Sequence, residues 1–210
     1  MQLIRAHFLR SLYIFVLALS AVLLLLLLFF SPRDFLTHRL AGDLIAGSAN
    51  FRARQEFQLR TGVLANQDYL SPAYAALQHR GWISATNATC PAGLGPPPCW
   101  DVSLTPAGVE AIQNLIPPGE AERKSFSIPT IRRELIAVVG IARQGGLADV
   151  EFIWKWIPLN EVGAAVYAGD VRYRSSVGFR KYDDGWRVVE SPSHPGQPLS
   201  EALENAEPVR

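Results

Sequence analysis

Apolar positions fall into three regimes along this chain. The first is an unbroken apolar stretch over residues 12–30, built around Leu23 to Leu28 and flanked by Arg5, Arg10, Arg33 and Arg39. Its nineteen residues would rise roughly 28 Å as a helix, close to the ~30 Å hydrocarbon core of a bilayer. Every face of such a helix is apolar, which suits lipid and not a half-exposed surface. The pattern predicts a transmembrane helix over 11–31. No Ala-x-Ala follows within cleavage distance, so the segment reads as an uncleaved anchor behind a short N-terminal tail, residues 1–10.

The second regime, residues 32–118, mixes periods. Ser31-Pro32 has the form of a helix start, and Leu36, Leu40, Leu44 and Ile45 suggest a juxtamembrane helix or linker over 32–56. Residues 57–63 alternate and predict one strand. Ser71-Pro72 opens a helix with Tyr74 and Leu77 on one face, and Gly81 ends it. Residues 82–85 extend, a Pro/Gly-rich loop follows, and 100–104 return as a strand. Thr105-Pro106 then starts a helix carrying Val109, Ile112, Leu115 and Ile116.

After a charged and proline-bearing linker at 119–129, the period becomes two. Four antiparallel strands are predicted over 130–190, with a short helix at 161–167 and a hairpin turn at Asp183-Asp184-Gly185. The Pro-, Gly- and Ser-rich remainder, 191–210, reads as a disordered tail. The expected class is therefore α+β: an N-terminal transmembrane helix, a small mixed lobe, and a four-stranded antiparallel sheet with a short helix.

Charge narrows the function. The net charge is +1 with both signs interspersed, and lysine occurs only at 124, 155 and 181. Nothing here resembles the cation density that phosphate neutralisation requires, so no nucleic-acid partner is expected. The two cysteines, Cys90 and Cys99, bracket Pro-Ala-Gly-Leu-Gly-Pro-Pro-Pro. An even pair closing a short irregular loop suits a disulfide in an oxidising compartment, the alternative being two free thiols. Arginines balance across the anchor, so the cysteines orient it: N-terminus in the cytoplasm, C-terminal domain outside.

The residues Tyr74-x-x-Leu77-x-x-x-Gly81-Trp82-Ile83, followed by Val102-Ser-Leu104-Thr105-Pro-Ala-Gly108, resemble the helix-and-wing end of winged-helix domains over 69–116. That resemblance implies DNA binding, but this helix offers only His79 and Arg80 at its end. Residues 131–190, with Phe179-Arg-Lys-Tyr-Asp-Asp-Gly-Trp186, resemble cystatin-like and NTF2-like sheets. The whole is similar to a single-pass bacterial inner-membrane protein with an envelope domain.

Chemistry is sparse. No Gly-x-Ser-x-Gly or Gly-Lys-Ser/Thr is present, and His7, His38, His79 and His194 are scattered. No catalytic residue, cofactor or metal site is expected. The aromatic set Phe152, Trp154, Trp156 and Trp186 has two readings: a sheet core packed on the 161–167 helix, or an exposed binding face. The expected function is a non-catalytic binding module anchored in the bilayer through 11–31, with a protein or other envelope partner. The alternative is a membrane-tethered, winged-helix-like regulator in the cytoplasm.

Overall fold

A computed structural model describes residues 16–22, 35–115, 124–167 and 169–209. Residues 16–22 are helical and exposed; the rest of the expected anchor, the tail 1–10 and the proposed cap at Ser31-Pro32 lie outside the described residues. Among the described residues no helix is long and apolar enough to cross a membrane.

The chain is mixed α+β with antiparallel sheets. Helices α1 (His38–Gly47) and α2 (Ala49–Arg52) lead into β1 (Gln55–Arg60) and β2 (Gly62–Ala65). Then come α3 (Asn66–Tyr69), α4 (Pro72–His79), β3 (Ile83–Ala88), β4 (Cys99–Leu104) and α5 (Pro106–Ile112). The second half holds β5 (Ser125–Gln144), β6 (Leu147–Pro158), α6 (Glu161–Val166), β7 (Arg172–Tyr182) and β8 (Gly185–Val188). It closes with α7 (Leu199–Glu204) and β9 (Glu207–Val209).

Among the described residues the large sheet has six strands in the order β1-β5-β6-β7-β8, with β9 also paired to β7, and the small sheet runs β2-β4-β3. Four strands were expected in the large one. Two departures account for the difference. The single strand predicted at 57–63 is two strands: Gly62 adopts φ +85, a value only glycine takes without strain. The chain turns there, leaving β1 on β5 and sending β2 to β4. Alternation alone cannot report which sheet a strand joins. The second departure is the tail, where β9 pairs with β7.

The tail is ordered by burial. Leu199, Ala202 and Leu203 of α7 enter the main core with Val150, Phe152, Trp154, Val177, Phe179 and Trp186 of the sheet. Their i, i+3, i+4 spacing is an amphipathic helix signal, set among the Pro-, Gly- and Ser-rich positions that suggest disorder. The same face is covered by Ala41 and Ile45 of α1 and Phe51 of α2. Ser48 joins those two helices: its Oγ donates to the Ile45 carbonyl at 2.8 Å and accepts from the Phe51 amide at 3.2 Å. The predicted linker at 119–129 is shorter than expected, since β5 begins at Ser125.

A second core lies under the small sheet. Leu64, Tyr69, Tyr74, Leu77, Trp82, Ile83, Val102 and Ile112 pack with Leu59, Phe126 and Ile128 from the beginning of the large sheet. Val162 of α6 joins this cluster. So the short helix expected to cover the aromatic face packs instead on the small lobe. Asn160 fixes the start of α6 against β5, capping the helix at the Gly163 amide (2.9 Å) while donating to the Pro129 carbonyl at 2.6 Å.

Candidate functional site

The residues singled out in the sequence separate into two places. Cys90 and Cys99 form a disulfide with Cα atoms 5.2 Å apart, closing the loop between β3 and β4. Phe152, Trp154 and Trp186 are buried in the main core, and Trp156 is half-buried at its end. The Trp154 indole donates to Ser175 Oγ at 3.0 Å and its ring stacks on Tyr173 with centroids 4.8 Å apart. Arg133 closes the Trp156 end, its guanidinium 4.5 Å from that ring centroid. Burial lowers the Arg133 pKa, and its Nη1 donates to the Asn50 carbonyl at 3.0 Å. This stripe is thus packing against α1, α2 and α7, with no opening to solvent at Phe152, Trp154 or Trp186.

A concave surface lies elsewhere. A groove of about 500 Å³ runs between α1 and the β7–β8 hairpin, continued by residues 189–194. Alternation along β7 places Arg180 and Tyr182 on one side, and register sets Arg187 of β8 opposite Arg180. Both guanidiniums lie near the Tyr182 ring, Arg180 at 5.3 Å and Arg187 at 4.9 Å from its centroid. Such stacking fixes long side chains that would otherwise sample many rotamers. Asp43 from α1 and Glu190 line the groove too, so it presents both signs of charge.

The hairpin turn keeps Arg187 in place. Gly185 has φ +128, and Asp184 accepts a hydrogen bond from Arg187. That bond holds the Asp184 carboxyl below the usual range and raises the Arg187 guanidinium in turn. Both groups are open to solvent, so the pair orients the side chain and adds little stability.

The far wall was not legible as a site. Residues 189–197 are strapped to β7 because two glycines meet: a Cβ on Gly178 would lie 2.9 Å from the Gly196 Cα. The Gly178 amide donates to Gln197, and Val189 donates to Gly178. This brings His194, assigned from sequence to a disordered tail, to the groove mouth. Its Nδ1 lies 3.2 Å from Ser193 Oγ. Among the described residues no acid orients the ring, so no Ser-His-acid arrangement forms.

Comparison with protein-family models, curated proteins and solved structures finds no match for the chain.

Among the described residues, no three His, Cys, Asp or Glu side chains converge on a metal-sized site. What the groove offers is an aromatic ring with two cations near it and carboxylates in the same lining. That arrangement can hold an ionic or zwitterionic group by charge-assisted hydrogen bonds.

Proposed function

We propose that the chain is a single-pass membrane protein that holds a non-catalytic binding module outside the cytoplasm. The observation that carries this reading is the Cys90–Cys99 pair at bonding geometry in a chain whose residues 12–30 form a bilayer-length apolar run. Disulfides persist in oxidising compartments and are rare in the cytosol. The groove at Arg180, Tyr182 and Arg187 is the surface best suited to a ligand, and its mixed charge favours an envelope peptide or other zwitterionic partner over a polyanion.

A second reading has one observation in its favour. The order β2-α3-α4-β3-loop-β4, with the sheet arranged β2-β4-β3, is the order of a winged-helix lobe, as a tethered cytoplasmic regulator would need. Against it, the exposed positions of α4 and its end are Pro72, Ala75, Gln78, His79 and Arg80, too few cations for phosphate contacts.

Reporter fusions at the C-terminus separate the two. Active alkaline phosphatase, together with a linked Cys90/Cys99 peptide in non-reducing mass spectrometry, is the expected result. Activity from a cytoplasmic reporter alone would overturn the proposal.

A further inference from the structure

The described part of the chain enters the fold at one end of the large sheet. Arg143, near the end of β5, donates to the Leu36 carbonyl. From there α1 travels back along β5. A Cβ on Gly42 would meet Leu135 at 3.3 Å and Val138 at 3.7 Å, and the Asn50 carbonyl accepts from Arg133 at 3.0 Å. These three points fix α1 and α2 antiparallel to β5, leaving the β5–β6 turn as the end nearest the chain's entry. The opposite end of β5 carries the small lobe.

Phe35 follows Phe30, the last residue of the apolar run, by five positions. Five residues reach at most about 18 Å even when fully extended, and the polar interface of a bilayer is itself about 5–8 Å deep on each side. An anchored chain therefore has no slack to lift this end of the sheet far from the headgroups. The surface there fits such a neighbour. Phe35 is 50% exposed and Leu147, at the hairpin tip, is 39% exposed. Arg143 and Arg39 are exposed beside them, and Arg180 is paired in register with Leu147. Asp43 offsets one of these cations, lying 4.0 Å from Arg39.

We propose that the β5–β6 hairpin tip, Gln144 to Leu147, together with Phe35 forms a foot that rests in the headgroup layer of an anionic phospholipid bilayer. Apolar side chains enter the interface while flanking arginines meet lipid phosphates, the combination that holds protein at membrane surfaces. The large sheet then stands off the membrane, with the disulfide-closed loop at the far end. This rests on the anchored reading above.

The test uses the full chain in vesicles of phosphatidylcholine with and without phosphatidylglycerol. A fluorophore is placed at Leu147→Cys or, as a second tip probe, Gly146→Cys, where a new Cβ meets nothing within 4 Å. Val109→Cys, exposed on α5 of the small lobe, is the reference. Lipids spin-labelled just below the headgroup should quench either tip probe several-fold more than the reference, and more strongly with phosphatidylglycerol. Equal quenching at tip and reference, in protein that resists alkaline extraction, overturns the foot while leaving the anchor intact. Release of the chain by alkaline extraction overturns the anchor, and the foot with it.

Discussion

The two cores of this molecule exclude water by opposite means. Under the large sheet, big side chains fill the space: Trp154, Phe152 and Phe179 are all almost completely buried. Around the second core the helices come in because side chains are absent. A Cβ on Gly108 would lie 1.9 Å from the Trp82 carbonyl oxygen, and one on Gly163 would lie 2.0 Å from the Thr130 oxygen. The first core is damaged by removing atoms and the second by adding them. The contrast also bears on function, since a face filled by tryptophan has no room for a ligand. The proposed binding would fall to the rim, where α1 and the β7–β8 hairpin leave a groove.

The largest expected effect lies in the filled core. Trp154→Ala removes the indole, its Ser175 hydrogen bond and the stacking on Tyr173, and should cost about 3–5 kcal/mol in denaturant unfolding. Trp156→Ala, at the half-buried end of the same strand, should cost clearly less. Equal losses would mean that the stripe is uniformly exposed or uniformly buried, and the contrast between core and rim would fail.

At the second core, Gly163→Ala should destabilise by up to about 3 kcal/mol through overpacking against β5. The neighbouring Ala164 is exposed, and Ala164→Gly should cost only about 1 kcal/mol from helix propensity. If the alanine at 163 were tolerated as well as the glycine at 164, α6 would not be held at backbone distance from Thr130. Replacing both Cys90 and Cys99 by serine should cost slightly less, about 2.7 kcal/mol by the loop-entropy relation. Proteolysis after this double replacement should cut first between β3 and β4, with the large sheet intact.

How much of this was legible depends on whether a signal is local. The α4-β3-loop-β4-α5 order could be read from Ser71-Pro72, Gly81 and Thr105-Pro106, because caps and stops act within a few residues. The inward face of β6 could be read from its alternation. The partner of that face could not: helix 161–167 was nearest in sequence, but Val162 packs it into the second core while α1, α2 and α7 cover the tryptophans. Likewise Gly62 looked like a glycine inside one strand, though its positive φ divides two sheets. The groove was invisible for the same reason. It is assembled from α1, β7–β8 and a strap held by Gly178 against Gly196, three segments that no spacing rule connects.

The smallest effect tests the joint between the two regions. Tyr74 of α4 reaches β1 of the large sheet, accepting from the Arg60 amide at 2.7 Å and donating to the Arg60 carbonyl at 2.9 Å. Its ring meets Phe57 edge-on, with centroids 6.0 Å apart. Tyr74→Phe keeps the ring but strips Arg60 of both partners, and should cost about 1–2 kcal/mol near neutral pH. Its pH signature separates this from simple loss of packing. Burial raises the Tyr74 phenol above its ordinary value, outweighing the opposing effects of Arg60. The folded protein thus keeps the proton more tightly than the unfolded chain. The corresponding stability is whole below the unfolded value of about 10 and is lost as pH rises through the higher folded value. Denaturation midpoints followed into the alkaline range should therefore fall more steeply for the natural chain than for Tyr74→Phe. Parallel curves would mean that the hydroxyl does not bind the two regions together, leaving the shared apolar cluster of Leu59, Phe126 and Ile128 as the joint.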